Sequence, residues 1–169
     1  MEITLSELLA SRDARQARQQ VLLSEHPNET LVCLTVVMPG AVKRNRQSLI
    51  VVHAAVEALR ECFDGHVGFL EERDLPTGYE AYLLVDVARL DAKRIASHIE
   101  ESHPLGRLFD IDVIAPDGQP VSRTAIGLPL RRCIICGSEA RLCMRQHKHT
   151  QEELHQRISQ LIEGYVHRV

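Results

Sequence analysis

Between Leu31 and Ala115 the apolar residues switch repeatedly between the two-residue period of a strand and the spacing of a helix, and this succession restricts the chain to a layered mixture of sheet and helices. Leu31 to Met38 is a continuous apolar and β-branched run closed by Pro39-Gly40, as in a buried strand. Leu49, Val52, Val56, Leu59 and Phe63 then recur at helical spacing, which predicts a helix from about residue 44 to 63, ended by Gly65. His66 to Glu72 and Tyr79 to Val87 predict two strands, with Arg73-Asp74-Leu75-Pro76-Thr77-Gly78 as a hairpin-type loop. Asp86 or Asp91 is placed to cap a further helix with Ala92, Ile95, Ala96 and Ile99 inward, and residues 108–115 supply a fourth strand, closed by Pro116-Asp117-Gly118.

The resulting order is β-α-β-β-α-β, the split βαβ, ferredoxin-like arrangement of an α+β domain, with two helices on one face of four antiparallel strands. At 169 residues one core suffices. A single domain over 1–169 is expected, made of a helical segment at 1–25, the α+β core at 30–116, and a cysteine cluster with a terminal helix at 130–165. Thr4-Leu5-Ser6-Glu7 has capping-box spacing, and Ser11 with Asp13 is placed to cap a second helical segment that is expected to carry Ala14, Ala17, Val21 and Leu22 inward. The second sheet face is either covered by this helix and the C-terminal segment or open to substrate. Residues 120–129 read as irregular, and Leu154, Ile158, Leu161 and Ile162 give the terminal helix an apolar stripe.

A formal net charge of −3 supplies no global basic field, so nucleic acid is not an expected partner. No apolar run reaches membrane-spanning length, and the first residues lack the basic and apolar blocks of a signal peptide. A cytoplasmic protein is expected. Its five cysteines, an odd number, are then expected to be reduced.

The chemistry concentrates in three places. In Phe109-Asp110-Ile111-Asp112-Val113, alternation along a strand projects Asp110 and Asp112 together while Ile111 and Val113 enter the core. Two adjacent carboxylates repel unless a cation separates them, and a hard divalent ion bound there keeps positions open for substrate phosphates. The same alternation also describes an ordinary half-exposed strand with solvated acids. Just upstream, Arg107 is the best single prospect for a phosphate contact, and His103 is either a proton-transfer or phosphate-donor group or a turn residue before Pro104. Arg12, Arg15 and Arg18 recur every three residues on a helix, a face that suits several phosphates or is merely solvated.

The third place is Cys133-Ile134-Ile135-Cys136, followed by Cys143, His147 and His149. Three thiols and one imidazole make a closed four-coordinate zinc site, with Gly137 suiting the tight turn and His149 preferred to His147. The alternative is a set of reduced thiols beside surface histidines. A redox pair is disfavoured because nothing places Cys133 at a helix N-terminus. Arg131 and Arg132 are a basic pair beside this cluster, and Cys33 and Cys62 read as small core residues.

Taken together, Ser11 to Gln19, His103 to Val113, and Leu128-Pro129-Leu130-Arg131-Arg132-Cys133-Ile134-Ile135-Cys136 resemble, in order and spacing, the apo-citrate lyase phosphoribosyl-dephospho-CoA transferase family. The likeness extends over essentially the whole chain, although Asn45 to Tyr79 matches mainly in apolar pattern and contributes no functional residue. The resemblance implies a nucleotidyltransferase, a holo-acyl-carrier-protein synthase of citrate lyase. Such an enzyme moves 2′-(5″-triphosphoribosyl)-3′-dephospho-CoA onto a serine of the acyl carrier subunit and releases diphosphate. It further implies magnesium on Asp110 and Asp112, with Asp86 as a conceivable third carboxylate, and Arg107, Arg12 and Arg15 on the donor phosphates. The malonate decarboxylase carrier is an alternative acceptor, and a non-catalytic zinc-stabilised binding module is an alternative of another class.

Overall fold

The computed structural model describes residues 1–168. In chain order its elements are α1 (Leu5–Glu25), β1 (Thr30–Val36), α2 (Arg46–Cys62), β2 (Val67–Leu75), β3 (Gly78–Val85), α3 (Arg89–Ser102), β4 (Phe109–Ile114), α4 (Ala140–Arg145) and α5 (Gln151–Val166). Short 3₁₀ turns occupy Gly106–Leu108 and Arg123–Ile126. The start of three helices is encoded locally. Thr4 with Glu7, Asn45 with Ser48 and Thr150 with Glu153 form reciprocal capping boxes at α1, α2 and α5.

The strands form one four-stranded sheet in the order β2-β3-β1-β4, and every neighbouring pair is antiparallel. One face is apolar. Val32 and Leu34 of β1, Ala81, Leu83 and Val85 of β3, and Phe109, Ile111 and Val113 of β4 form a core with Val51, Val52, Ala55 and Leu59 of α2, Ala92, Ala96 and Ile99 of α3, and Ile158 and Ile162 of α5. The other face carries a smaller cluster in which Leu22 of α1 packs on Leu31, Cys33, Tyr82, Leu84 and Ile114.

Five local expectations need correction. α1 runs unbroken from Leu5 to Glu25, so Ser11 and Asp13 cap no second segment, and Cys62 is exposed at the end of α2 instead of lying in the core. The face of α1 is rotated, since Ala14, Ala17 and Val21 are exposed while Ser11, Arg15, Arg18 and Gln19 turn toward the sheet. The cause lies in the sheet: its outer face presents Glu71, Glu80 and Cys33 to the helix, so polar partners outcompete alanines. The hairpin is tighter than expected, because Arg73, Asp74 and Leu75 remain paired with Glu80, Tyr79 and Gly78, leaving Pro76 and Thr77 to turn the chain and Gly78 to take φ +124°. Neither Asp86 nor Asp91 caps α3; Ala88 holds that position without a side-chain cap, and Asp91 pairs with Arg94 in the first turn.

β4 is an edge strand, yet several of its outward backbone groups are occupied. The Ile111 N–H donates to Glu100 Oε1 at 3.0 Å, the Ile111 carbonyl accepts from Lys93 Nζ at 3.4 Å, and the Phe109 carbonyl accepts from Arg131 Nη2 at 2.8 Å. Further along, the Val113 carbonyl accepts the Val121 N–H at 2.8 Å. Between α3 and β4 the chain turns at Gly106, where an added Cβ would lie 2.5 Å from the Glu100 carbonyl oxygen and 2.6 Å from that of Ile99. Backbone cannot yield there as a flexible side chain can. Gly106→Ala is therefore expected to cost about 1–3 kcal/mol, measured as a lowered midpoint of urea unfolding, and an unchanged midpoint would contradict the close approach.

Candidate functional site

The register of β4 against β1 brings the two aspartates onto the outer face. Asp110 lies opposite Thr35 and Asp112 opposite Cys33, while Thr35 and Cys33 lie opposite Glu80 and Tyr82 of β3. This polar shelf is flanked by α1. Arg15 Nη1 is 3.2 Å from Glu80 Oε1, and the buried Tyr82 hydroxyl donates to Glu80 Oε2 at 2.7 Å. Asp110 has a side chain 47% exposed, enough for a ligand to reach it. Asp112 sits deeper, and burial followed by the charge of Asp110 raises its pKa against the opposing influence of Lys93, Arg131 and Arg15. The carboxylates thus form a like-charge pair on one face of the sheet. A divalent ion between them would offset their like charge, so the donor set fits a hard cation such as magnesium.

The guanidinium touching the pair belongs to Arg131. Its Nη1 lies 3.2 Å from Asp110 Oδ1 and 3.6 Å from Glu100 Oε1, and its Nη2 donates to the carbonyls of Phe109 and Arg107 at 2.8 and 3.2 Å. Sequence spacing offered no signal for this, since Arg131 lies 21 residues beyond Asp110 and reads as part of a basic pair by the cysteines. Glu100 was equally hidden, being an acidic residue near the end of a helix that the fold buries to 4% exposure.

The other anticipated residues are distributed unevenly. Arg15 reaches the shelf; Arg12 is exposed on the same helix and close enough to Lys43 that, after burial, its charge is the next cause lowering the lysine pKa. Arg107 stands in the 3₁₀ turn just before β4, and its side chain donates to the Arg132 carbonyl. Asp86 is not with the pair: it follows Val85, which is level with Thr30, whereas Asp110 is level with Thr35 at the other end of β1. His103 is also separate. Its ring packs against Phe109 at 4.9 Å and Tyr165 at 5.5 Å, on the helical side of the sheet, and its Nδ1 accepts the Leu105 N–H at 3.0 Å. His103 thus lies on the opposite side of the sheet from the aspartates, because strand alternation points Phe109 and Asp110 to opposite faces.

The second constellation is the cluster of Cys133, Cys136, Cys143 and His149, whose ligand atoms all lie within 4.8 Å of one another. The chain wraps around it through bonds from the Cys133 N–H to the Ser138 carbonyl and from the Gly137 N–H to the Cys133 carbonyl, with Gly137 at φ +71°. After Cys143, the Lys148 N–H bonds the Cys143 carbonyl and the His147 N–H bonds the Met144 carbonyl, a Schellman closure of α4 with His147 itself at φ +46°. That reversal leaves His147 exposed and turns His149 into the cluster. His149 Nε2 is buried without a hydrogen-bond partner. Hydrogen bonds from Ser138 pull the Cys136 thiol down to about 5, whereas burial and the neighbouring thiols push Cys143 up. The set can hold a metal ion.

The sequence matches the apo-citrate lyase phosphoribosyl-dephospho-CoA transferase family over residues 3–165. It is 35% identical over 167 residues to a Streptococcus pyogenes protein named probable apo-citrate lyase phosphoribosyl-dephospho-CoA transferase, an alignment covering 96% of this chain and 87% of that one. It is 38% identical over 163 residues to proteins of Shigella boydii and Escherichia coli O157:H7 named apo-citrate lyase phosphoribosyl-dephospho-CoA transferase, covering 95% of this chain and 88% of each relative.

Two outcomes follow from this geometry. Protein isolated without chelators should carry bound metal, with His149→Ala losing it and His147→Ala retaining it in elemental analysis; the reverse pattern would exclude His149 as a ligand. The second concerns acid. Burial lowers the His103 pKa, so the folded state favours the neutral ring, and its contribution to stability is intact above the ordinary imidazole range and lost as pH falls through that range toward the folded value. Melting temperature should therefore drop more steeply on acidification in the wild type than in His103→Asn, whose amide oxygen can still accept the Leu105 N–H without charging. Parallel pH profiles would show that His103 is not buried as a neutral acceptor.

Proposed function

We propose that this chain, which belongs to the apo-citrate lyase phosphoribosyl-dephospho-CoA transferase family, acts as a single transferase domain that completes the acyl carrier subunit of citrate lyase. The observation that carries the reading is the family match across residues 3–165. The donor is 2′-(5″-triphosphoribosyl)-3′-dephospho-CoA, the acceptor a carrier serine, and the products a phosphodiester and diphosphate. The sheet order β2-β3-β1-β4 and the placement of α2 and α3 on one face support assigning the domain to the ferredoxin-like, split βαβ arrangement.

In the reaction the serine oxygen forms a bond to the α-phosphorus, the bond from that phosphorus to the α–β bridging oxygen breaks, and the serine proton passes to a base. Magnesium, when bound, neutralises charge on the diphosphate leaving group. Asp110 and Asp112 would hold it from the outer face of β4, and this assignment rests on their shared face and on the exposure of Asp110. Arg12 and Arg15 are assigned to the donor phosphates because α1 carries both beside the shelf, with Arg15 shared between Glu80 and donor. Arg107 is assigned to the same role from the turn just before β4. Its guanidinium must then exchange the Arg132 carbonyl for a phosphate oxygen.

The Cys133, Cys136, Cys143 and His149 cluster is assigned to a structural zinc, because its four protein ligands leave no position for substrate. Thiols held ready for zinc require reducing surroundings, so the cytoplasm is the proposed compartment. No described helix is long and apolar enough to cross a membrane.

The test is mass spectrometry of purified apo carrier subunits from citrate lyase and malonate decarboxylase after incubation with enzyme, donor and magnesium. A mass increase on the citrate lyase carrier is expected, and no incorporation into it would overturn the reading. Asp110→Asn and Asp112→Asn should each slow diphosphate release by about 10²–10³-fold or more with an unchanged melting curve, while near-normal turnover in both would remove the metal role.

A further inference from the structure

We propose that Arg131 is a positioning residue that fixes the Asp110 carboxylate for cation binding, and that the cysteine–histidine knuckle acts on the carboxylate shelf through it. The proposal rests on the reading of Asp110 and Asp112 as magnesium ligands.

The guanidinium of Arg131 is itself held at several points. Nη2 spans the Phe109 and Arg107 carbonyls at 2.8 and 3.2 Å, and Nη1 faces Glu100 Oε1 at 3.6 Å and Asp110 Oδ1 at 3.2 Å. Glu100 is anchored in turn by the Ile111 N–H at 3.0 Å and by Arg123 Nη1 at 3.1 Å. Asp110 therefore has one oxygen engaged by Arg131. Among the described residues its Oδ2 receives only a long contact, 3.4 Å, from the Thr35 hydroxyl, which leaves it available to a cation. An oriented carboxylate binds a small, geometrically demanding ion better than one free to rotate, and hydrogen-bond partners of metal ligands typically govern affinity or activity by about 10–100-fold.

The backbone from which Arg131 projects belongs to the knuckle. The Arg131 carbonyl accepts the Ala140 N–H at 2.9 Å, Arg132 pairs with Glu139 in an isolated bridge, and inside that small hairpin the Cys133 N–H bonds Ser138. Cys133 and Cys136 lie within the loop, and Cys143 and His149 follow it. Removing the metal leaves His149 Nε2 buried and unpaired, and the thiols without a common counter-charge, so the loop loses its clasp and Arg131 its fixed origin.

Manganese is the probe, titrated by electron paramagnetic resonance into the full chain without donor or acceptor, alongside kcat for diphosphate release. Arg131→Ala should weaken manganese binding about 10–100-fold and lower kcat comparably while retaining zinc, and added guanidinium should restore part of both. Stripping zinc from the wild type should produce the same loss of manganese affinity, whereas stripping it from Arg131→Ala should add nothing further. Should Arg131→Ala lose its fold, Arg131→Lys, which keeps one donor and the charge, is expected to fall between it and the wild type. Wild-type manganese affinity in both Arg131 variants, or an equal loss on zinc removal with and without Arg131, would overturn the proposal. Manganese binding indifferent to Asp110→Asn would instead overturn the magnesium reading on which it rests.

Discussion

A buried carboxylate at the edge of the sheet holds the two halves of this protein together. Glu100, near the end of α3, satisfies the Ile111 N–H on the open edge of β4 and meets Arg123 and Arg131 from the C-terminal segment. Burial raises its pKa, with Arg131 the largest opposing influence, so the charge is tolerated only because partners surround it. An ion pair of this kind adds little net stability, yet loss of one member leaves an uncompensated charge, commonly costing about 3–5 kcal/mol. Its consequence here is specificity of arrangement. Apolar contacts would accept several placements of the 120–132 segment, whereas guanidinium forks accept few.

The sheet divides labour between its faces. The apolar face supplies the core with α2, α3 and α5. On the other face the cluster around Leu22 occupies one end, and the remainder presents Thr35, Glu71, Glu80, Asp110 and Asp112, partly covered by the arginine side of α1. A polar layer against a helix is held by directional ion pairs, and where α1 ends its coverage the aspartate shelf is open. The same choice that makes α1 a weak apolar packer leaves guanidinium groups along its margin beside the aspartates.

Beyond residue 127 the chain buries little apolar material: among the described residues there, Cys143, Ile158 and Ile162 are the buried hydrophobic ones. Ile134 and Tyr165 touch the main core only in part. A metal held by the Cys133, Cys136, Cys143 and His149 set would substitute for such a core, because ligand bonds hold a short loop that hydrophobic area could not. Arg157 Nε, 3.3 Å from the Ile134 carbonyl, then ties α5 to the knuckle.

The apolar periodicity of residues 31–115 determined the order of strands and helices, because each period belongs to one kind of backbone and the core selects for it. Alternation in Phe109-Asp110-Ile111-Asp112-Val113 likewise determined which residues point to the core and that the two aspartates share a face. The spacing of Cys133, Cys136 and Cys143 already marked a ligand set, since ligands close in sequence need only one turn to converge. Tertiary structure alone decided the rest. It chose His149 over His147 through a backbone reversal, turned arginines rather than alanines of α1 to the sheet, sent His103 to the helical side, and set Arg131 against Asp110. Each of these depends on what lies opposite a residue in space, and a one-dimensional pattern records only the residue's own neighbours in the chain.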